Sequence, residues 1–386
     1  MIKLADITEC TGCGACAQIC SNNCIEMMED EFGFKYPKII TTKCVECENC
    51  QNTCPVLQNR ATVKTSASIY VAFSLDDETR KCSSSGGVFS ELAKSCLASG
   101  GCVWGAAYDE DFTVRHICID NICDLNRIRG AKYAQSELGN SFSTIRHQLA
   151  SKRNVIFCGT PCQVAGLKRY LGSETPHLMC IDFVCHSVPS PMAWHAYVNY
   201  RSQVDTPSCH KPIMINLRSK QSGWSYYQYS AVFQYRKREY SMISSNDPYL
   251  RLFVNGALSR DSCSNCKFKS SNRYSDITLG DAWGVWDYAP EMDDNKGTSL
   301  VIVNTGIGEK YLKEIEQHLI IKQINEAEAF RMNPAYLCSK EKDSKRETIL
   351  EEIKNRGYKK YENLLKQQTI KKKIILLAKK ALGKSR

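Results

Sequence analysis

Residues 10–20 read CTGCGACAQIC and residues 44–55 read CVECENCQNTCP. Each run spaces four cysteines as C-x2-C-x2-C-x3-C: Cys10, Cys13, Cys16 and Cys20, then Cys44, Cys47, Cys50 and Cys54, followed by Pro55. Three thiolates this close in sequence can wrap three irons of a [4Fe–4S] cube, while the fourth starts a segment leading to a neighbouring cube. The expected ligand sets are therefore Cys10, Cys13, Cys16 with Cys54, and Cys44, Cys47, Cys50 with Cys20. Gly12 and Gly14 suit the tight backbone path that turns amides toward sulfur. Zinc modules pair two C-x2-C knuckles across an intervening stretch, so two iron–sulfur clusters are the better account. Cys24, just outside the first run, reads as a small buried residue.

This spacing resembles that of bacterial-type 2[4Fe–4S] ferredoxins, with one departure. Ser21 follows Cys20 where such modules usually carry proline, which leaves the turn there less constrained. The expected ferredoxin-type domain spans residues 1–58, and the small, polar stretch 59–68 reads as a linker.

The remainder of the 386 residues holds one or two further domains. The chain is 43% hydrophobic and 24% charged, which excludes wholesale disorder and fibrous repeats. No apolar run reaches the length of a membrane span, and a cysteine motif beginning at Cys10 leaves no room for a signal peptide. The expected location is cytoplasmic. In that reducing compartment, 22 cysteines point to metal or redox chemistry and not to a disulfide framework.

The net charge of +10 is uneven. Residues 1–60 carry five Lys/Arg against eight Asp/Glu, whereas residues 351–386 carry twelve Lys/Arg and three Glu. With the basic end set aside the body is nearly neutral, so a nucleic-acid face is not expected.

From residue 69 onward, short apolar runs alternate with amphipathic stretches. The expected strands are 69–74, 102–108, 154–158, 179–184, 213–218, 229–234, 276–279 and 300–304. Expected helices are 87–97, 139–150, 163–171, 192–201, 247–255 and 309–318. This is a mixed α/β pattern. SSSGG at 83–87 opens a helix and offers free amides to a phosphate, although such a stretch is more often only a cap. GTPCQ at 159–163 follows a strand and starts a helix, so Cys162 stands where the helix dipole favours a thiolate. Cys185 and His186 end another strand, and Cys263-x2-Cys266 supplies half a metal site. These cysteines could also be core residues or a redox dithiol.

Six strings are similar, in order, to the coenzyme F420 hydrogenase/dehydrogenase beta-subunit family. They are SSSGGVFSELAKSCL, RGAKYAQSELG, FCGTPCQVAGLKRYL, DFVCHSVPSP, LRSKQSGW and CSNCKFKSSNRYSDITLGDAWG. The likeness runs from about residue 69 to residue 304, within an expected domain of 69–340. It implies FAD and a third [4Fe–4S] cluster on Cys162, Cys185, Cys263 and Cys266. It also implies FAD contacts at Ser84, Ser85, Gly86, Gly87, Lys132 and Tyr133. Asp281 reads as a turn or a site residue, and His186 as a structural residue or a proton donor. Ser187 replaces a glycine common in relatives. No G-x-G-x-x-G follows a strand, so a Rossmann NAD site is not expected.

Residues 341–386 read as a basic helical tail. Within it, 369–382 (TIKKKIILLAKKAL) fits either weak contact with an anionic membrane surface or light packing on the body. The fold class expected is a small ferredoxin-like module, then a mixed α/β flavin and iron–sulfur domain, then this tail. The expected function is an iron–sulfur flavoprotein oxidoreductase passing electrons between [4Fe–4S] clusters and FAD. Its partners would be a ferredoxin or other redox protein and a small-molecule donor or acceptor. Relatives occur beside cell-surface polysaccharide genes, which extends the expected substrates in that direction. The alternative is a non-catalytic electron-transfer subunit feeding a partner enzyme.

Overall fold

The computed structural model describes residues 2–58, 68–172, 175–206, 210–225 and 228–367. Thirteen strands occur among them: β1 (Ile25–Glu29), β2 (Lys35–Ile39), β3 (Ser68–Ser74), β4 (Cys102–Tyr108), β5 (Val114–Ile119), β6 (Val155–Cys158) and β7 (Leu178–Phe183) come first. After these come β8 (Met214–Ser219), β9 (Ser230–Gln234), β10 (Glu239–Ile243), β11 (Ile277–Asp281), β12 (Ser299–Val303) and β13 (Leu319–Gln323).

Eight strands form one sheet in the order β13-β3-β12-β11-β7-β6-β4-β5. Its centre, β11, β7, β6 and β4, is parallel, and antiparallel strands flank it on both sides. The carboxyl ends of four neighbouring strands thus open on one edge, where α/β sheets collect ligands. Alternation gives the sheet two buried faces. On β6, Ile156 packs with Val88, Leu92 and Met179, while Val155 and Phe157 pack with Phe142, Val164 and Leu167.

Helices enter and leave this edge at sequence-coded stops. Thr160 caps the helix Pro161–Leu171 through a reciprocal capping box with Gln163, proline takes its first turn, and Gly172 (φ 77°) ends it. Such a cap is worth about 1 kcal/mol. It starts the helix two residues after β6, which puts Cys162 at the sheet edge. Ser190 accepts from the Ala193 amide to cap the helix Pro191–Asp205, confining Cys185 and His186 to the short loop after β7.

A second core lies beside the sheet. Trp194, Tyr197, Tyr249 and Phe233 join the three-stranded sheet β10-β9-β8 to Phe32 and Phe34 of the first module. Leu350, Ile353 and Tyr358 enter this same core from the helix Arg346–Arg356 and the residues after it. The described part of the expected tail is therefore packed structure. Its charged surface hides a narrow apolar face, which the basic composition obscured. The stretch 369–382 lies outside the described residues.

Gly86 sits where β3 and β12 meet the turn before the helix Val88–Ala98. A Cβ there would stand 2.3 Å from the Ala72 carbonyl and 2.7 Å from the Ser299 amide. Gly86→Ala is expected to cost about 2–3 kcal/mol, since backbone on both sides cannot give way cheaply. Gly306→Ala, which would meet nothing within 4 Å, is the control. Equal melting temperatures for the two variants would count against this packing account.

Candidate iron–sulfur and ligand sites

The structure gathers the first-module thiols into two groups. Cys13 has Cys10 and Cys54 as neighbours, and Cys16 has Cys13, Cys10, Cys54 and Cys50. The second group lines one small cavity, with Cys20, Cys24, Cys44, Cys47 and Cys50 around it. The fourth cysteine of each run thus lies with the other run's first three. Cys16 and Cys50 face each other across the two groups.

Burial pushes the Cys13 thiol up to about 12 and holds Cys16 well above the ordinary thiol range. A thiolate in that place needs a compensating cation, which iron supplies and bare protein does not. Among the described residues, no three Cys, His, Asp or Glu side chains converge on one point as a single ion requires. The thiols of the second group surround a cavity instead, as a polynuclear cluster needs.

A third group stands at the sheet edge. Cys162 has Cys266, Cys185 and Cys263 as neighbours, and all four line a cavity of about 30 Å³. Each comes from a different local device: Cys162 from the capped helix, Cys185 from the end of β7, and Cys263 from the single turn Asp261–Cys263. Cys266 is fixed by its amide, which donates to Ser339 Oγ at 2.9 Å. The helix dipole does not decide the state of Cys162. Burial raises its thiol well above the usual range and pushes Cys185 to about 12 and Cys263 to about 11. Lys269 and Arg273 stand nearby and act in the opposite direction on Cys185. Four thiols around one cavity are the donor set that a [4Fe–4S] cluster takes.

The same edge opens into a cavity of about 580 Å³, within the range of small-molecule and cofactor sites. Ser84, Ser85, Gly87, Lys132 and Tyr133 all line it, together with Cys162 and Cys185. Gly86 is turned away, its amide donating to Ser299 Oγ at 2.9 Å behind the turn. Lys132 is half-buried, with Nζ donating to the Arg129 carbonyl at 2.7 Å, and burial lowers its pKa to about 7. Asp281 ends β11 and pairs with Arg218 at 3.0 Å; Arg218 in turn lies 3.9 Å over the Tyr229 ring. Both line the cavity.

His186 lines the cavity too, but its Nε2–H donates to the Val254 carbonyl at 3.0 Å. Its ring meets the edge of Phe253, and burial lowers its pKa to about 4. Neutral at pH 7 and with that N–H committed, it has the features of a positioning residue.

Three features were not anticipated from sequence. His116 on β5 lines the cavity and donates Nε2–H to the Cys158 carbonyl at 3.0 Å. Cys24 stands in the second thiol group. Arg260, only 2% exposed, ties the first module to the body. It donates to the Cys10 carbonyl (2.7 Å), Gln135 Oε1 (2.8 Å) and the Lys35 carbonyl (3.0 Å), and stacks 4.0 Å from Tyr36. An arginine three residues before a C-x2-C pair is the only sequence signal it leaves. Gly12 belongs to this junction: its φ is +68°, and a Cβ would strike Arg260 Nη1 at 2.9 Å.

Comparison with known proteins adds the following. Residues 69–142 match the model of the N-terminal part, and 152–328 that of the C terminus, of the coenzyme F420 hydrogenase/dehydrogenase beta subunit. Residues 9–57 match a 4Fe–4S dicluster domain. No curated protein sequence matches. A similar solved structure is a chain of the F420-reducing [NiFe] hydrogenase complex from Methanosarcina barkeri, at 16% identity and a TM-score of 0.48. The match covers 75% of this chain and 92% of that one. No helix among the described residues is long and apolar enough to cross a membrane.

Proposed function

This chain belongs to the coenzyme F420 hydrogenase/dehydrogenase beta-subunit family and carries a 4Fe–4S dicluster module ahead of it, and from that premise we propose an iron–sulfur flavoprotein oxidoreductase. One observation carries the reading: Cys162 and Cys185 line both the four-thiol cavity and the large cavity. An iron–sulfur cluster held there would touch the wall of the ligand site.

The thiol groups supply a route toward that wall. Cys47 is exposed, so the second cluster is the one nearest to a redox partner. Cys16 and Cys50 join the two groups of the module. Cys13 rests on the helix Pro161–Leu171, where a Cβ on Gly166 would stand 3.0 Å from its Sγ. That helix begins at the third group with Cys162. Arg260 holds the module in register with the body.

The cavity's residues fit a flavin dinucleotide. The turn Ser84–Gly87 and the amides opening the helix Val88–Ala98 suit phosphate oxygens, with Lys132 and Arg218 as cationic partners. Tyr133 and Trp283 give the same cavity an aromatic lining. FAD would supply the coupling of one-electron transfer to two-electron chemistry. The chain itself would hold the cofactor, exclude water from it and fix its distance from Cys162 and Cys185. The substrate in this reading is a small-molecule electron donor or acceptor reaching the open part of the cavity.

Anaerobic purification tests the proposal. About twelve irons per chain, releasable FAD and oxidation of the dithionite-reduced protein by a small acceptor are expected. With iron and flavin present but no acceptor active, the protein would be an electron-transfer subunit for a partner enzyme. Flavin-free protein with full iron would remove the flavoprotein reading.

A further inference from the structure

The second thiol group has one sulfur more than a [4Fe–4S] cube has irons. Cys20, Cys24, Cys44, Cys47 and Cys50 all line the same cavity. Cys24 has two sulfur neighbours, Cys20 and Cys44, of which Cys20 is the stronger: its Sγ lies 3.2 Å from Cys24 Sγ and accepts from the Cys24 amide at 3.4 Å. Cys24 is only 4% exposed, so its thiol faces the cavity region and not solvent.

The turn between the two cysteines brings this about. Ser21, Asn22 and Asn23 separate them; Asn23 adopts a left-handed conformation (φ 49°), and its amide donates to the Cys20 carbonyl at 3.1 Å. Asparagine tolerates that region better than most side chains. A proline after Cys20 would remove one backbone donor and restrict this reversal. Beyond the turn, Cys24 is pinned as the chain enters β1, its carbonyl accepting from the Ile40 amide at 2.8 Å.

Two sulfurs in contact cannot serve two different irons of a cube, whose corner ligands point away from one another. Each iron already bound to three sulfides accepts one thiolate. We infer that Cys24 is a reserve ligand for the corner of the second cluster that Cys20 serves. The exchange conserves charge. The iron–Sγ bond of Cys20 breaks, that of Cys24 forms, and the Cys24 thiol proton passes to Cys20 across the sulfur contact. No oxidant or reductant is consumed. The inference rests on the second cluster being present, which the iron content of the wild-type chain checks separately.

Three full-length chains, wild type, Cys20→Ala and Cys20→Ala/Cys24→Ala, would be purified anaerobically and compared by iron content and electron paramagnetic resonance. Cys20→Ala is expected to keep wild-type iron and show no three-iron cluster in the oxidised state. The double variant should lose iron and show that signature. A three-iron signature in Cys20→Ala as strong as in the double variant would overturn the inference. Should Cys20→Ala fail to fold, Cys24→Ala gives a second reading. Its iron loss to a ferrous chelator should be several-fold faster than wild type, because nothing recaptures the freed corner, and equal rates would overturn the inference. Wild-type chain lacking the module's iron would instead sink the cluster assignment itself.

Discussion

Cys263→Ala/Cys266→Ala is expected to lower the iron content by about four atoms per chain, from about twelve to about eight. These two thiols make up half of a group whose other members, Cys162 and Cys185, sit at separate strand ends. Cys158, four residues before Cys162, lines the large cavity but not the four-thiol one, so a four-iron cube would lose its hold. Clusters of the first module should persist, because none of their expected ligands is among the four thiols of the third cavity. Flavin reduction by a ferredoxin-type donor should then fall at least tenfold while flavin content is retained. Iron analysis with the visible spectrum of the anaerobic protein checks this, and iron equal to wild type would remove the third cluster.

Lys132→Met carries the second large effect. Burial lowers the amine to about pH 7, so the free cavity has a positive charge there below that pH and little above it. An anionic ligand stabilises the charged form and is held best at low pH. Flavin affinity in wild type should therefore weaken as pH rises through 7. In Lys132→Met it should be weaker by about tenfold at pH 6, the size of one charged hydrogen bond, and nearly flat with pH. Fluorescence titration at pH 6 and pH 8.5 measures both. Identical pH profiles for the two proteins would exclude Lys132 from ligand binding. The stability of the ligand-free fold moves the other way. An unfolded lysine keeps its proton to about pH 10.4, so between 7 and 10 the unfolded chain binds more protons, and this group's contribution rises with pH. Its removal should flatten that rise in a pH series of melting temperatures.

Much of this arrangement is legible in the chain. β4 runs from Cys102 to Tyr108 as its apolar pattern predicts, and the other seven expected strands shift by one or two residues at their ends. Beyond the first module, β5, β10 and β13 were missed for a common reason. They are edge or outer strands, with Arg115 and His116, an exposed Glu239–Ile243 face, and Lys322 and Gln323 breaking the apolar signal. The helix read as 309–318 begins at Gly306, where Thr305 caps it by accepting from Gly308, and ends at Ile315. The residues 346–358 were masked by their own charge. Leu350, Ile353 and Tyr358 are too few to stand out, yet a helix places them on one buried face.

Spacing alone determined that eight cysteines sit in two cluster-type runs, because thiols three residues apart are brought together by a local turn. The run GTPCQ likewise marked a helix start beside Cys162, read from residue 163 and found two residues earlier at Pro161. Only the tertiary structure decided which distant thiols meet. Cys162 and Cys185 become neighbours because β6 and β7 are adjacent and parallel, and Cys263 and Cys266 reach them from the chain that leads into β11 on the far side of β7. It also decided that Cys24 faces Cys20, since a left-handed Asn23 and the pairing of β1 with β2 are needed to fold the turn back. Local spacing is set by bonds along the chain. Which cavity a thiol finally lines is set by strand order, and strand order is a property of the packed sheet.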